Sequence, residues 1–127
     1  MPTDAQRRAA LERFANDFCK GAYWDAHEHL EALWREERLP AWQAVIQLAA
    51  VFVLLQSGRH EGARSVLARA RAKLASAPTH LHGVDVLWIR ERLGALSSAL
   101  DDKVVADVAT LACMFDGLHE RLGVASP

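Results

Sequence analysis

The chain has two cysteines, Cys19 and Cys113, far apart and with no C-x-x-C partner, so no disulfide framework is implied. It has four prolines, at positions 2, 40, 78 and 127, which leaves long stretches free of helix breakers. Alternating runs of β-branched residues are missing, which argues against strands and hairpins. No glycine-rich phosphate loop, G-x-S-x-G elbow or dinucleotide fingerprint is found, so kinase, serine-hydrolase and Rossmann readings lack support. The charge has no dominant sign: 15 basic and 16 acidic side chains leave a net of −1. A nucleic-acid protein would normally carry a basic excess or stripe. The densest basic stretch, Arg64 to Lys73, fits the wet face of a helix. The longest apolar run, Ala44 to Leu55, is interrupted by Gln47 and falls well short of the about 20 residues a membrane span needs. Met1 to Leu11 carries Asp4 and no apolar core, so a secretory leader is not expected. A protein of the cytoplasm, with no membrane and no nucleic-acid partner, is the expectation.

What is there is helical periodicity. With 127 residues, 51% hydrophobic and 24% charged, the chain suits one globular domain, 1–127, with a single core. Thr3 or Asp4 can cap a first helix whose Ala10, Leu11, Phe14, Ala15 and Phe18 form one stripe. Gly21 ends it. A second helix runs to about Glu37–Leu39, before Pro40. A third, about 41–57, is apolar around nearly its whole circumference except for Gln43 and Gln47, the mark of a buried central helix. A fourth covers about 61–75 and residues 76–83 form a loop. A fifth spans about 85–100 with Val86, Leu87, Leu93, Leu96 and Leu100 inward. Asp101 or Asp102 can cap a sixth, about 102–122. The fold class is all-α: a five- or six-helix bundle around the helix at 41–57.

One internal repeat is visible. Gly21-x-Tyr23-x-x-Ala26-x-x-x-Leu30 aligns with Gly58-x-His60-x-x-Ala63-x-x-x-Leu67. Small residues at such positions let paired helices pack closely, as in tetratricopeptide-like hairpins. Two copies suggest two stacked hairpins and a C-terminal pair rather than a solenoid.

The chemistry concentrates in Tyr23 to Trp34. His27 and Glu31 lie one turn apart on one helix face, with Trp34 along the same stripe. His27-Glu28-x-x-Glu31 resembles a zincin helix whose second histidine is replaced. His27 and Glu31 would be the metal ligands and Glu28 the base of a metal-dependent hydrolase or small-molecule enzyme. A zinc site wants a third ligand, and none of His60, His80, His82 or His119 has a spacing that demands it. The plainer reading is a buried polar seam in which Gln43 and Gln47 satisfy His27 and Glu31. Trp34 fits that reading too, because a buried indole seeks an acceptor. A third reading is a small-molecule or peptide groove lined by Tyr23, Trp24, Trp34 and Trp42. The candidate cluster is therefore Tyr23, His27, Glu31, Trp34, Gln43 and Gln47. His80-x-His82 in its loop reads as solvated, and Cys113 as core. Cys19 beside Lys20 could have a lowered pKa, with no base placed for it.

Phe18-x-x-Gly21-x-Tyr23-Trp24-Asp25-Ala26-His27-Glu28-x-Leu30-Glu31-x-Leu33-Trp34 resembles the signature of a family of small prokaryotic proteins, domain of unknown function 309. Its hallmark is H-x-x-x-E-x-x-W, here His27, Glu31 and Trp34. Gln43-Ala44-Val45-Ile46-Gln47-Leu48-Ala49 and Gly58-Arg59-His60-Glu61-Gly62-Ala63 are similar to its next two blocks. The resemblance covers about 14–74, and more loosely 83–93, within a family-like core of about 14–100. It implies an all-α bundle in the cytoplasm with no established activity, and it groups His27, Glu31, Trp34, Gln43 and Gln47. No cofactor is expected. The preferred function is a non-enzymatic binding or protein-interaction module. Its partner would be another protein or a second copy of the chain, with a small molecule as the alternative. Trp24 and Trp88 are the aromatics best placed to be exposed.

Overall fold

The computed structural model describes residues 1–102 and 106–127. It is all-α. Five long helices are α1 (Asp4–Cys19), α2 (Tyr23–Glu37), α3 (Pro40–Gln56), α4 (His60–Leu74) and α5 (Val86–Asp101). Two short ones follow, α6 (Val108–Ala112) and α7 (Leu118–Arg121), with a 3-10 turn at Cys113–Phe115 between them. A two-stranded ribbon, β1 (His80–Leu81) and β2 (Val84–Asp85), precedes α5.

The helix starts and stops follow local chemistry. Thr3 caps α1, accepting from the Gln6 N–H while the Gln6 side chain accepts from the Thr3 N–H, a capping box with Gln in place of Glu. Pro40 occupies the first turn of α3, where its missing N–H costs nothing. Short turns join α1 to α2, α2 to α3 and α3 to α4, so neighbouring helices fold back on one another.

The α3 helix packs between α2 and α4, α4 packs on α5, and α7 returns against both α1 and α5. From Ala41 to Leu55 no α3 residue is exposed. Trp42, Leu48 and Phe52 on α3 are fully buried, each contributing roughly 1.5–3 kcal/mol through burial. The all-round apolar pattern of 41–57 thus marks a helix with neighbours on several sides.

The repeat has a backbone counterpart. Ala22 before α2 and Arg59 before α4 share nearly the same conformation, φ/ψ of −85°/64° and −92°/69°. Ala26 and Ala63, at matching positions, are both completely buried, where a larger side chain would push the paired helices apart.

Three sequence expectations need correction. Residues 76–83 are not all loop: His80–Leu81 pairs with Val84–Asp85. The tight turn is made by His82 and Gly83, both at positive φ (49° and 81°), as a two-residue hairpin requires. The helix expected at about 102–122 is broken. Its stretch 103–105 lies outside the described residues, and Asp101 and Asp102 sit at the end of α5 rather than at a new start. Asp107 is the cap, accepting from the Thr110 N–H at 2.7 Å. Asp116 is extended and Gly117 left-handed (φ 86°), so this Asp-Gly turn dipeptide stops the helix. On α5 the buried position is Ile89, with Leu87 only half-buried. Among the described residues no helix is long and apolar enough to cross a membrane.

Candidate functional site

The α2 helix buries Tyr23, Ala26, Leu30 and Leu33, a stripe of helical spacing that turns the intervening residues outward. His27 and Glu31 lie on this outer side. His27 Nδ1 is 3.5 Å from Glu31 Oε2, with the two side chains 22% and 30% exposed. The contact is not a hydrogen bond: Nδ1 is sealed from water and has no hydrogen-bond partner. Glu31 instead accepts from Arg35 at 2.9 Å. Trp24 stacks face to face on the His27 ring, 5.2 Å between centroids and 6° between planes. One turn beyond Glu31, Trp34 is half-buried and lies under the Arg38 guanidinium at 4.5 Å. The outer face therefore presents, in order, Trp24, His27, Glu31, Trp34 with Arg35, and Arg38.

The structure separates the other three candidate residues from this face. Tyr23 points inward, 5.0 Å from the rings of both Phe18 and Phe52, and burial raises its phenol pKa. Gln47 accepts from Lys73 Nζ of α4 at 3.1 Å, so it serves the α3–α4 boundary. Gln43 lies one turn before it on the same face of α3. The expected seam between His27/Glu31 and Gln43/Gln47 thus does not form, because the glutamine face of α3 is turned to α4.

Sequence reasoning also missed a buried polar cluster built on Glu37. Arg7 of α1 donates from Nε to both Glu37 oxygens, at 2.9 and 3.0 Å. Trp42 Nε1 of α3 donates to Glu37 Oε2 at 2.7 Å. The His82 ring approaches Glu37 to 3.8 Å. Glu37 is only 6% exposed. Its hydrogen bonds from Arg7, and then from Trp42, hold its carboxyl below the usual range against the opposing effect of burial. The buried indole that needs an acceptor is thus Trp42, not Trp34. The one available signal was Glu37 as the last residue of a helix just before Leu39-Pro40-Ala41-Trp42. A cavity of about 330 Å³, lined by Asp4, Arg7, Arg8, His82, Gly83 and Gly123 among others, opens beside the Arg7 and His82 of this cluster.

Trp88 is not a free aromatic. It packs edge-on against Phe115 and has Arg92 and Arg121 over its ring at 5.5 and 5.6 Å. Trp24, 59% exposed, and Met1 are the exposed large hydrophobics among the described residues. Among those residues no group of three or more His, Cys, Asp or Glu is arranged to hold a metal ion. Among the described residues His27 and Glu31 have no third ligand, and Glu28 is exposed, turned about 100° round the helix from His27.

Residues 11–66 match the family model of domain of unknown function 309. Over this segment the chain is similar to that family. The matched stretch runs from within α1 to the middle of α4 and contains His27, Glu31, Trp34 and Glu37. Arg7 and His82, which complete the Glu37 cluster, lie outside it. No curated protein and no solved structure matches the chain.

Proposed function

We propose that this protein is a non-enzymatic interaction module that self-associates through the outer face of α2. The observation that carries the reading is Trp24. An indole more than half in water is unusual for a folded chain. This one is stacked on the His27 ring, a contact that lowers the side-chain freedom left to lose when a partner covers it.

The face suits a second copy of the chain. Its first half carries Trp24 and Glu28, and its second half Arg35 and Arg38, all exposed. Two such faces related by a two-fold axis run antiparallel. The acidic half of each then meets the basic half of the other, and Trp24 meets an arginine-bearing end suited to cation–π contact.

Light scattering across a concentration series tests this reading. Wild type should pass from monomer to dimer as concentration rises. Trp24→Ser should remain monomeric without losing thermal stability. Arg35→Glu combined with Arg38→Glu should also remain monomeric. A wild-type protein that is monomeric into the high-micromolar range, or a dimer untouched by Trp24→Ser, overturns the proposal.

A further inference from the structure

Away from the α2 face, side chains from the two ends of the chain form a relay. Asn16 and Cys19 sit on α1, and His119 comes from α7. His119 Nε2 is 2.7 Å from Asn16 Oδ1, and His119 Nδ1 is 3.9 Å from Cys19 Sγ. An amide oxygen only accepts, so in the neutral ring Nε2 carries the proton and Nδ1 offers its lone pair toward the thiol. The imidazole is 7% exposed, whereas Cys19 is exposed. A shielded base thus backs an accessible sulfur, the ordering of nucleophile, base and orienting group seen in cysteine-dependent catalysis.

Cys19 lines a groove of about 340 Å³, and Cys113 lines the same groove. The expectation of Cys113 as a core residue is therefore wrong: it is exposed, because the 3-10 turn that replaces regular helix at 113–115 buries Phe115 instead. The expected lowering of the Cys19 pKa by Lys20 is also reversed. Burial, and secondly the charge of Asp116, push the thiol up. The C-terminal end of α1 likewise disfavours a standing thiolate. Reaction at neutral pH thus depends on a base acting as the sulfur attacks.

The surrounding backbone selects the chemistry. Acyl transfer needs N–H donors aimed at a developing oxyanion. The N–H groups that follow Cys19, those of Lys20, Gly21 and Ala22, are all committed to α1 carbonyls. Attack on a peroxide needs no such donors, and a second thiol in the groove provides the following step.

We propose that Cys19 is a peroxide-reactive nucleophile, assisted by His119 and positioned through Asn16, and that Cys113 resolves it to a disulfide. His119 Nδ1 takes the thiol proton as Cys19 Sγ attacks one oxygen of hydrogen peroxide. The O–O bond breaks, and the proton passes to the departing hydroxide. This leaves water and a sulfenic acid on Cys19. The Cys113 sulfur then attacks Cys19 sulfur, and the expelled hydroxide leaves as water with the Cys113 proton. Two thiols are oxidised and one peroxide is reduced to two waters. The titratable and charged groups around the sulfur are His119, Asp116, Lys20, Tyr23 and Cys113. The site is independent of the α2 face, so Trp24→Ser should leave it unchanged.

The test is hydrogen peroxide added to the full chain, followed by intact mass and peptide mapping. The expected product is an intramolecular Cys19–Cys113 disulfide. Cys113→Ser should stop at a Cys19 sulfenic acid that dimedone traps. His119→Gln and Asn16→Leu should slow Cys19 oxidation at neutral pH at least about tenfold, the modest end of general-base effects, while Asn16→Asp keeps the rate. At alkaline pH, where solvent removes the thiol proton, His119→Gln should approach the wild-type rate, which a merely structural histidine would not produce. Circular dichroism identifies any variant that does not fold, and the remaining variants then decide. Equal oxidation of Cys19 and Cys113, or folded His119→Gln and Asn16→Leu proteins reacting like wild type at neutral pH, overturns the proposal. So does a disulfide formed only between chains.

Discussion

Arg7 and Glu37, the first on α1 and the second closing α2, form a two-pronged ion pair whose far side is held by the Trp42 indole of α3. Three consecutive helices therefore meet at one carboxylate. A buried charge left without its partners is strongly destabilising, so removing either Arg7 or Glu37 should disturb how α1, α2 and α3 dock.

The first prediction concerns acid. The Glu37 carboxyl is held below its ordinary range, chiefly by Arg7. A depressed carboxylate adds stability that is fully present above its unfolded-state pKa, about 4.3 for glutamate. That contribution is lost as pH falls through the lower, folded-state value. Wild type should therefore lose melting temperature steeply below about pH 4.3. Glu37→Gln should melt lower at neutral pH and lose less on acidification. Parallel pH curves for the two proteins, measured by thermal melts from neutral to acidic buffer, would contradict this.

His27→Ala should be mild. His27 Nδ1 makes no hydrogen bond, and its contact with Glu31 is long and partly exposed. Its removal should cost less than about 1 kcal/mol, the range of exposed ion pairs. A loss of about 3 kcal/mol in urea unfolding would instead mean that His27 belongs to a satisfied buried network.

Gly123→Ala should be severe for so small a change. Gly123 has φ +73°, and an added Cβ would lie 2.6 Å from the Gly83 carbonyl oxygen. The backbone conformation alone costs an alanine about 1–3 kcal/mol. The clash would also lift the chain's end off the ribbon turn. Denaturant unfolding should show a lowered midpoint, and a midpoint within error of wild type would refute the close approach.

The helices were legible in the sequence because their signals are local. The Thr3 cap, the break at Gly21, Pro40 at the start of α3 and the 3.6-residue stripes each act within a few residues. The all-round apolar character of 41–57 was enough to place α3 at the centre. The sequence also singled out the His27, Glu31 and Trp34 stripe, since i, i+4 and i+7 share a face on any helix. It failed at 102–122, where apolar content outweighed the turn chemistry of Asp116-Gly117. It failed as well at His82-Gly83, where a histidine takes a left-handed conformation more typical of glycine or asparagine.

Tertiary structure alone decided which stripe meets which neighbour. Gln47 reaches Lys73 rather than the α2 pair because the glutamine face of α3 is turned toward α4. Glu37 gathers Arg7, Trp42 and His82 because the turns between helices bring α1, α3 and the ribbon to the end of α2. Cys19 and His119, separated by 100 positions, meet because α7 packs back on α1. A helix's periodicity is written in its own residues, whereas a pairing across helices depends on the angle and register at which whole faces pack.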